Sequence, residues 1–546
     1  MIKADQYYKE NLKEILINGD YDENPRPKYK DGELAHTKFI TQVFEEYDIS
    51  KGEFPITTLR NTAIKTGIKE ILWIYQKQSN NMKDAHDLDI FWWDEWMNQN
   101  GNIGKAYSYN IESHKQNDVK RCVVKIKPII VDEKYGELKN INKIPIEKSI
   151  DNLIYKTKVE KYGDYIIIDE FVKNNRSYII CQFLNTGYKY TIRKDSKKKG
   201  QGPKNNYIRT NIGVGYLDYT DDLLFSKSEK YKLHKIWSGM IRRCGQKKYY
   251  TTYENIFVHQ DWHSFRNFLK DVKYLPQYFL ARENDFDGWE LDKDYYGSNC
   301  YSKNTCVFLK KNENVLYRST QIPLIQIKDL DNNEIYYELS YTSLANTLGL
   351  SKGYTKIIVS KGKYKNLLFE LIYDNNFLYR YEISKNQVNE LLLNLKKNPF
   401  GRRHIISLWN WANIDKKELV ECAYETLWSV RKVKDEFYLD LTLIQRSNDY
   451  IMAGYINKIQ YVALQMMIAS HLNYKVGKFC HLTQNLHVYD RHMDALSELL
   501  DREPLNQQPI LKLKENKNFY DFTIDDFIIE NINGIEKIKS PLEIAI

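Results

Sequence analysis

Residues Glu418–Val430 read E-L-V-E-C-A-Y-E-T-L-W-S-V, with Cys422 near the centre. Upstream stands G-R-R-H-I-I-S-L-W-N (Gly401–Asn410). Downstream come L-I-Q-R-S-N-D-Y-I-M-A-G-Y-I-N-K (Leu443–Lys458) and Q-N-L-H-V-Y-D-R-H (Gln484–His492). A thiolate is a soft nucleophile, and arginines both lower a thiol's pKa and clamp phosphate with paired N–H donors. A thiol, several arginines, an acid-amide cluster and a His-x-Tyr pair together suit the alkylation of a phosphorylated base. Taken alone, one cysteine in a large chain is ordinarily a small buried hydrophobe. The order and spacing of all four blocks make Cys422 a candidate nucleophile.

Five more blocks lie near the N-terminus: A-H-T (Ala35–Thr37), F-P-I-T-T (Phe54–Thr58), I-K-E-I-L-W-I (Ile68–Ile74), W-W-D-E-W (Trp92–Trp96) and G-K-A-Y (Gly104–Tyr107). In this order the blocks resemble thymidylate synthase of the folate-dependent, cysteine-nucleophile type, especially the branch common in bacilli and their phages. The resemblance implies an α+β fold, a mixed sheet with packed helices. It covers residues 1–109 and 376–546, which together have the size of a complete synthase. The intervening 110–375 does not belong to that pattern.

A chain of 546 residues exceeds what one hydrophobic core usually organises, so two or more domains are expected. Apolar content of 42%, with 12 prolines and 24 glycines, is that of a globular protein. A net charge of +9 is too mild to argue for nucleic acid by itself. Seven cysteines without regular spacing and without a C-x-x-C pair point to free thiols in a reducing compartment rather than a disulfide framework or structural zinc. The start M-I-K-A-D-Q-Y-Y-K-E lacks an apolar signal region, and nowhere do 18 apolar residues run together. The expectation is a cytoplasmic protein that needs no metal for its main chemistry.

In chain order, residues 1–20 read as an amphipathic helix with Tyr7, Leu12, Ile15 and Leu16 on one stripe. Arg26, held between two prolines, is on its own a solvated loop charge. By resemblance it matches a mobile-loop arginine that contacts the nucleotide phosphate. Residues 62–78 read as a second helix carrying Glu70 and Trp73. An acid beside I-L-W is costly to bury without partners, which makes Glu70 a better functional candidate than an average surface glutamate. The resemblance gives it a water network that relays protons to the base O4. Aromatic runs are ordinarily core, but Trp93 and Trp96 match walls of the folate site. Tyr107 matches the tyrosine near the proton removed from C5, and Ser108 stands where glycine is usual.

The resemblance further implies that dUMP is methylated reductively by 5,10-methylenetetrahydrofolate. The Cys422 thiolate adds to C6 of uracil, making C5 a carbon nucleophile. Arg26 and Arg446 from one subunit, with Arg402 and Arg403 from the other, hold the phosphate, which makes a symmetric homodimer obligatory. Ser447 is a phosphate ligand, and Asn457 reads uracil through its paired donor and acceptor. His487 and Tyr489 bind the ribose 3′-hydroxyl. On a strand, their i, i+2 spacing puts both side chains on one face. Asp449 is the folate-binding acid, and the carboxylate of Ile546 closes the site over the cofactor. Three departures stand out. Glu421 replaces the common proline before the nucleophile and is expected to raise the thiol's pKa. Tyr455 and Ile456 replace proline and phenylalanine before Asn457.

The 110–375 text is β-rich, aromatic and lysine-laden. Arg193–Asn206 (R-K-D-S-K-K-K-G-Q-G-P-K-N-N) is a basic loop, and such runs are usually solvated faces. Tyr231–Cys244, Val258–Phe268 and Trp289–Phe308 resemble phage mobile proteins of the HNH-endonuclease and AP2-associated type, over about 162–316. Residues 322–372 read as a hairpin around Asp331–Asn333 leading to two short helices broken at Gly349. This resembles a helix-turn-helix-like DNA-binding repeat. The lack of any His-Asn dipeptide argues against an intein. His259, His263, Asp292, Asn299 and Asn304 are the residues available to an HNH nuclease site, though the third helix lacks histidine. DNA binding without cleavage ranks first for the insert. The rival reading of the whole chain is a homing-endonuclease-like DNA-binding protein carried in an inactive synthase.

Overall fold

The helix Gly454–Leu472 is buried on nearly every face: its sequence is mostly apolar, and its buried Lys458, Gln460 and Gln465 find partners inside. It packs beneath a seven-stranded sheet whose central strand is Lys475–Tyr489. That strand pairs antiparallel with Thr37–Asp48 and parallel with Glu436–Gln445 and Asn448–Asp449, so the sheet is mixed. Ala423–Val433 and Ile405–Ser407 extend it on one side, and Asp20–Tyr21 on the other. Side chains alternate along the central strand, with Gly477, Phe479, His481 and Thr483 turned inward. Register places Thr483 opposite Gln445 and His487 opposite Asp449. A one-residue slip would turn this whole set outward.

The computed structural model describes residues 1–112, 122–198, 202–218, 220, 223–317, 324–374, 377–383 and 385–545. The chain forms two compact units, Met1–Gln116 with Ser384–Ile546, and Asn117–Ile383. Both limits lie C-terminal to the 109/110 and 375/376 seams expected from sequence, by seven and eight residues. Within the first unit the chain leaves and returns side by side: Glu112 bridges Asn386, and the Gln387 N–H donates to the Ile111 carbonyl.

Two local expectations are corrected. The first helix, Lys3–Asn18, buries Ala4, Asp5, Tyr8, Leu12 and Ile15, while Leu16 is exposed. The cause is Asp5, whose carboxylate accepts from Thr57 Oγ1 (2.6 Å), Thr58 N (2.7 Å) and Thr58 Oγ1 (2.6 Å) and turns that face inward. The 62–78 helix is an α-helix only over Ile64–Ile71, then a π-turn over Leu72–Lys77. An extra residue in the turn re-aims the side chains beyond it. Past the second seam the chain forms the helix Gln387–Lys397, capped by Asn386.

At Gly67 this second helix crosses Gly454–Leu472 so closely that a Cβ would lie 2.9 Å from Ile456 Cγ2. The close approach sets Glu70, one turn on, against Gln460. A buried ion pair, Lys458 Nζ to Glu45 Oε1 at 2.7 Å, ties the same buried helix to strand Thr37–Asp48.

In the second unit, Tyr165–Lys173, Arg176–Phe183 and Lys189–Arg193 form an antiparallel sheet. The helix Lys227–Gly245 is capped by Ser226 and buries Leu233, Trp237, Met240, Ile241 and Cys244. A second antiparallel sheet runs in the order Ile335–Glu338, Leu324–Asp329, Leu367–Ile372, Lys363–Tyr364. Helices Tyr341–Leu348 and Lys352–Ser360 follow its hairpin, separated by Gly349 at φ 64°. Ile325, Ile327 and Phe369 from this sheet share a core with Leu344, Ile358 and Val359 from the helices. Among the described residues no helix is long and apolar enough to cross a membrane.

Candidate active site

Cys422 sits at the mouth of the sheet, one residue before strand Ala423–Val433. Its main-chain N–H donates to the Tyr107 hydroxyl at 3.3 Å, and its carbonyl accepts from Arg446 N at 2.9 Å. The Arg446 guanidinium donates to the carbonyls of Glu421 (2.9 Å) and Val420 (2.8 Å) and lies 3.7 Å from Cys422 Sγ. Burial pushes the thiol's pKa up. Arg446 pulls it down, Glu421 pushes it up and Arg26 pulls it down. The adjacent guanidinium favours the thiolate and opposes burial, which dominates and leaves the thiol's pKa raised.

Glu421 is fully buried. Its Oε1 accepts from Tyr107 N (2.7 Å) and Asn110 Nδ2 (2.9 Å), and its Oε2 pairs with Lys417 Nζ. The expected upward push on the thiol is present and ranks behind burial and Arg446, and Lys417 pairs with the same carboxylate. Tyr107 takes φ 42°, and burial holds its hydroxyl well above the usual tyrosine range.

Glu70 faces the same region. Burial pushes its carboxyl up to about 7, against the indoles of Trp93 and Trp92 and the Gln460 amide, which favour the ionised form. A carboxyl near neutrality serves as either proton donor or acceptor. Trp93 packs edge-to-face on Tyr107 (5.3 Å), Trp73 (6.1 Å) and the half-buried Trp96 (5.7 Å).

Asn457 is aimed by two glutamines. Its Oδ1 accepts from Gln445 Nε2 at 3.1 Å and its Nδ2 donates to Gln460 Oε1 at 3.0 Å. Gln445 Nε2 also donates to the Ser447 carbonyl, and its Oε1 lies 2.9 Å from His481 Nε2. Asp449 Oδ1 accepts from Met452 N at 3.0 Å, and its Oδ2 is 4.0 Å from His492 Nδ1.

His487 and Tyr489 do share one side of their strand, with rings 5.3 Å apart. Burial lowers the pKa of His487, whose Nδ1 lies 2.9 Å from Asn485 Oδ1. With Nδ1–H donating there, Nε2 is left as an acceptor. Burial raises Tyr489, helped by Asp449 and Cys422 and opposed by Arg26.

The structure thus brings Cys422, Tyr107, Arg446, Arg26, Asp449, His487 and Tyr489 into one neighbourhood, with Glu70, Trp93, Trp96, Ser447 and Asn457 around it. Arg402 and Arg403 are exposed in the turn before strand Ile405–Ser407, and the charges that act on the thiol do not include theirs. Ile546 lies outside the described residues. The tail before it docks nearby: Glu543 pairs with Arg491 (2.6 Å), and its main chain meets His492 Nε2 at 3.0 Å. Tyr455 points away from the cluster. Its hydroxyl donates to the Ala4 carbonyl and its ring packs on Tyr8. Sequence reading missed Gln445, Gln460, Lys417 and Asn110, since each acts through a partner distant in the chain.

Among the described residues no cluster of three or more His, Cys, Asp and Glu could hold a metal ion. In the second unit most of the possible nuclease residues have structural partners. His263 is buried with Nε2 at the Val258 carbonyl, Asp292 Oδ1 accepts from Tyr295 N, and Asn299 clasps both main-chain groups of Val131. His259 Nδ1 accepts from Asp261 N at 3.3 Å, and His259 and Asn304 line a cleft of about 300 Å³ with Asp261, Asp271 and Lys303.

The family model described as thymidylate synthase matches residues 6–161 and 302–544. The thymidylate synthase of Streptococcus pneumoniae (strain 70585) is 24% identical over 541 residues, covering 98% of this chain and 97% of that protein. That of Streptococcus gordonii is 24% identical over 532 residues, covering 96% and 94%. Among solved structures, thermostable thymidylate synthase A from Bacillus subtilis covers 100% of this chain and 99% of its own at 20% identity, with a TM-score of 0.46. The family model spans well over half of the sequence and includes the whole neighbourhood of Cys422, so the chain belongs to the thymidylate synthase family.

Proposed function

We propose that the chain converts dUMP to dTMP by reductive methylation, working as a cytoplasmic homodimer. The observation that carries this reading is the nucleophile's setting: Cys422 Sγ is 3.7 Å from a guanidinium, and its N–H is bound by the hydroxyl of Tyr107. Cys422 attacks C6 of the uracil, and Arg446 favours the thiolate while offering its remaining N–H groups to the phosphate. Arg26 adds a second cation on the same side. Arg402 and Arg403, exposed in one protomer, are free to reach the phosphate held by its partner. Asn457 presents an N–H to O4 and an acceptor to N3–H, a pattern that cytosine would not match. Glu70 holds or releases a proton on the base side, and Tyr107 faces C5. His487 Nε2 accepts from the ribose 3′-hydroxyl, beside Tyr489.

Methylenetetrahydrofolate supplies the one-carbon unit and the hydride when bound. The residues present suit it: Trp96 offers a flat, half-exposed ring backed by Trp93, and Asp449 offers an acceptor for a pterin N–H. The test is to mix purified protein with dUMP and methylenetetrahydrofolate and follow dihydrofolate absorbance. Turnover that vanishes in Cys422→Ser supports the reading. No turnover in the unsubstituted protein favours the rival, a DNA-binding protein carried in an inactive synthase.

For the insert, DNA binding without cleavage is the reading the charge distribution favours. Residues 117–383 carry 45 Lys and Arg against 32 Asp and Glu, whereas the remainder carries 36 against 40. Excess cations of this kind bind polyphosphate in a salt-sensitive way. A gel shift on duplex DNA, with and without Mg²⁺, distinguishes binding, cutting and neither.

A further inference from the structure

We propose that Glu421 is a positioning residue for the nucleophile: its buried carboxylate, paired with Lys417, locks the Cys422 segment to the Tyr107 turn across the point where the insert interrupts the synthase. The proposal rests on the synthase reading above.

Tyr107 and Glu421 are 314 residues apart in sequence, yet they are joined by the Tyr107 N–H to Glu421 Oε1 bond of 2.7 Å. The same oxygen takes Asn110 Nδ2 at 2.9 Å, and that amide also donates to the Lys105 carbonyl at 2.9 Å. One carboxylate oxygen therefore gathers the residues Lys105 to Asn110. The other oxygen pairs with Lys417, whose backbone bridges Gly104. Both side chains of that pair are fully out of solvent. The turn thus gathered places the Tyr107 hydroxyl on the N–H of Cys422, and Arg446 fixes the same segment through the carbonyls of Val420 and Glu421. Tyr107, at φ 42°, holds a backbone conformation that a non-glycine residue keeps only when its surroundings impose it.

A proline at position 421 would offer no acceptor to the Tyr107 N–H and would leave Lys417 buried without a counter-charge. A buried ion stripped of its partner is strongly unfavourable, so Glu421 and Lys417 belong together. Their location fits a specific need. Glu112, five residues after Tyr107, bridges Asn386 where the chain returns to this unit, and the Glu421 carboxylate joins the same two stretches of chain nearer the thiol. The pair is also neutral as a whole, which keeps an uncompensated negative charge away from the sulfur.

The test uses full-length Glu421→Gln, Lys417→Met and the double variant. Two readouts are taken: kcat and KM for dTMP formation, and the pH midpoint of Cys422 alkylation by iodoacetamide, resolved by peptide mass spectrometry. Lys417→Met leaves a bare carboxylate beside the thiol, so the alkylation midpoint is expected to rise by about one pH unit. Glu421→Gln leaves the lysine unpaired, so the midpoint is expected to fall. Both single variants lose about tenfold or more in kcat with a much smaller change in KM for dUMP, as expected for lost orientation. The double variant returns the midpoint toward that of the unsubstituted protein. Opposite midpoint shifts with recovery in the double variant are something a merely structural role does not produce. If Lys417→Met fails to fold, the near-isosteric Glu421→Gln carries the test alone. Unchanged midpoints and unchanged kcat in the single variants overturn the proposal. Alkylation needs no turnover, so it decides the lock even if the protein makes no dTMP.

Discussion

The main-chain N–H of Cys422 donates to the side-chain hydroxyl of Tyr107 at 3.3 Å, so the nucleophile's backbone and the tyrosine are one positioned unit. Tyr107→Phe removes that acceptor, and with it the hydroxyl proposed to face the base, while keeping the ring packed on Trp93. The expected result is a fall in kcat of about 10²–10⁴, the usual range for a lost proton-transfer group. Binding of dUMP, measured by calorimetry, is expected to change far less. A variant with weak binding and unchanged kcat would contradict this placement of Tyr107.

Glu70 gives a pH dependence with a definite sign. Its carboxyl is raised from 4.5 to about 7, so between those values the folded state holds a proton that the unfolded chain has lost. Stability from this group is complete below about pH 4.5 and is lost as pH rises through about 7. A displacement of that size corresponds to about 3 kcal/mol. Glu70→Gln should therefore flatten the decline in urea midpoint between pH 5 and 8. It should also remove the ionisation near 7 from the pH profile of kcat. A urea profile as steep as that of the unsubstituted protein would show that Glu70 is not the titrating group.

How much of this was readable beforehand depends on the range of each interaction. Cys422, Arg446, Glu70 and the His487–Tyr489 pair were legible because each lies in a short block, and strand periodicity alone puts residues 487 and 489 on one side. The aiming of Asn457 was not. It depends on Gln445 from a strand and Gln460 one turn along a helix, two amides with no local signature. The π-turn at Leu72–Lys77 was hidden for a similar reason, since its apolar residues satisfy α-helical spacing equally well. Asp5 rotated the first helix by bonding to Thr57 and Thr58, fifty residues away. Glu421 was read as a charge beside sulfur because its neutralising lysine and its tie to Tyr107 exist only in the folded chain.

Lys458 and Glu45 test a different link, from packing to stability. Both are buried, and Glu45 also takes hydrogen bonds from Asn11, Tyr47 and Tyr450. Burial lowers the pKa of Lys458, while Glu45 opposes the shift. Lys458→Met strands the carboxylate and is expected to cost about 3–5 kcal/mol, read as a lower urea midpoint. A companion Glu45→Gln substitution should recover much of the loss. Equal midpoints for the Lys458→Met and unsubstituted proteins would mean the pair contributes nothing.

Arg491 clasps two flanking segments at once. Its guanidinium pairs with Asp31 at 2.7 Å on the loop that follows Arg26, pairs with Glu543 at 2.6 Å on the C-terminal tail, and lies 4.0 Å from the Tyr29 ring centroid. Exposed pairs and cation–π contacts of this kind contribute modestly, because solvent screens them. Arg491→Gln is therefore expected to raise KM for both substrates by about tenfold and to leave the alkylation midpoint of Cys422 in place. A shift in that midpoint would place Arg491 in contact with the thiol's own surroundings instead.

The exposure of Arg402 and Arg403 leads to a test of subunit sharing. If these arginines complete the phosphate site of the partner, a Cys422→Ser protein and an Arg402→Ala/Arg403→Ala protein are each inactive for different reasons. Reassociated together, they form mixed dimers in which one site combines an intact thiol with intact arginines from the other chain. Random mixing yields half mixed dimers with one working site each, so activity should return to about a quarter of that of the unsubstituted protein. The salt dependence of the recovered KM for dUMP should also match the unsubstituted enzyme, since the phosphate meets the same cations. Recovery demands exchange of whole subunits, so it should follow the rate of reassociation after brief dilution in mild urea. No recovery, with mixed dimers demonstrated by differential tagging, would mean that each chain builds its phosphate site from Arg26 and Arg446 alone.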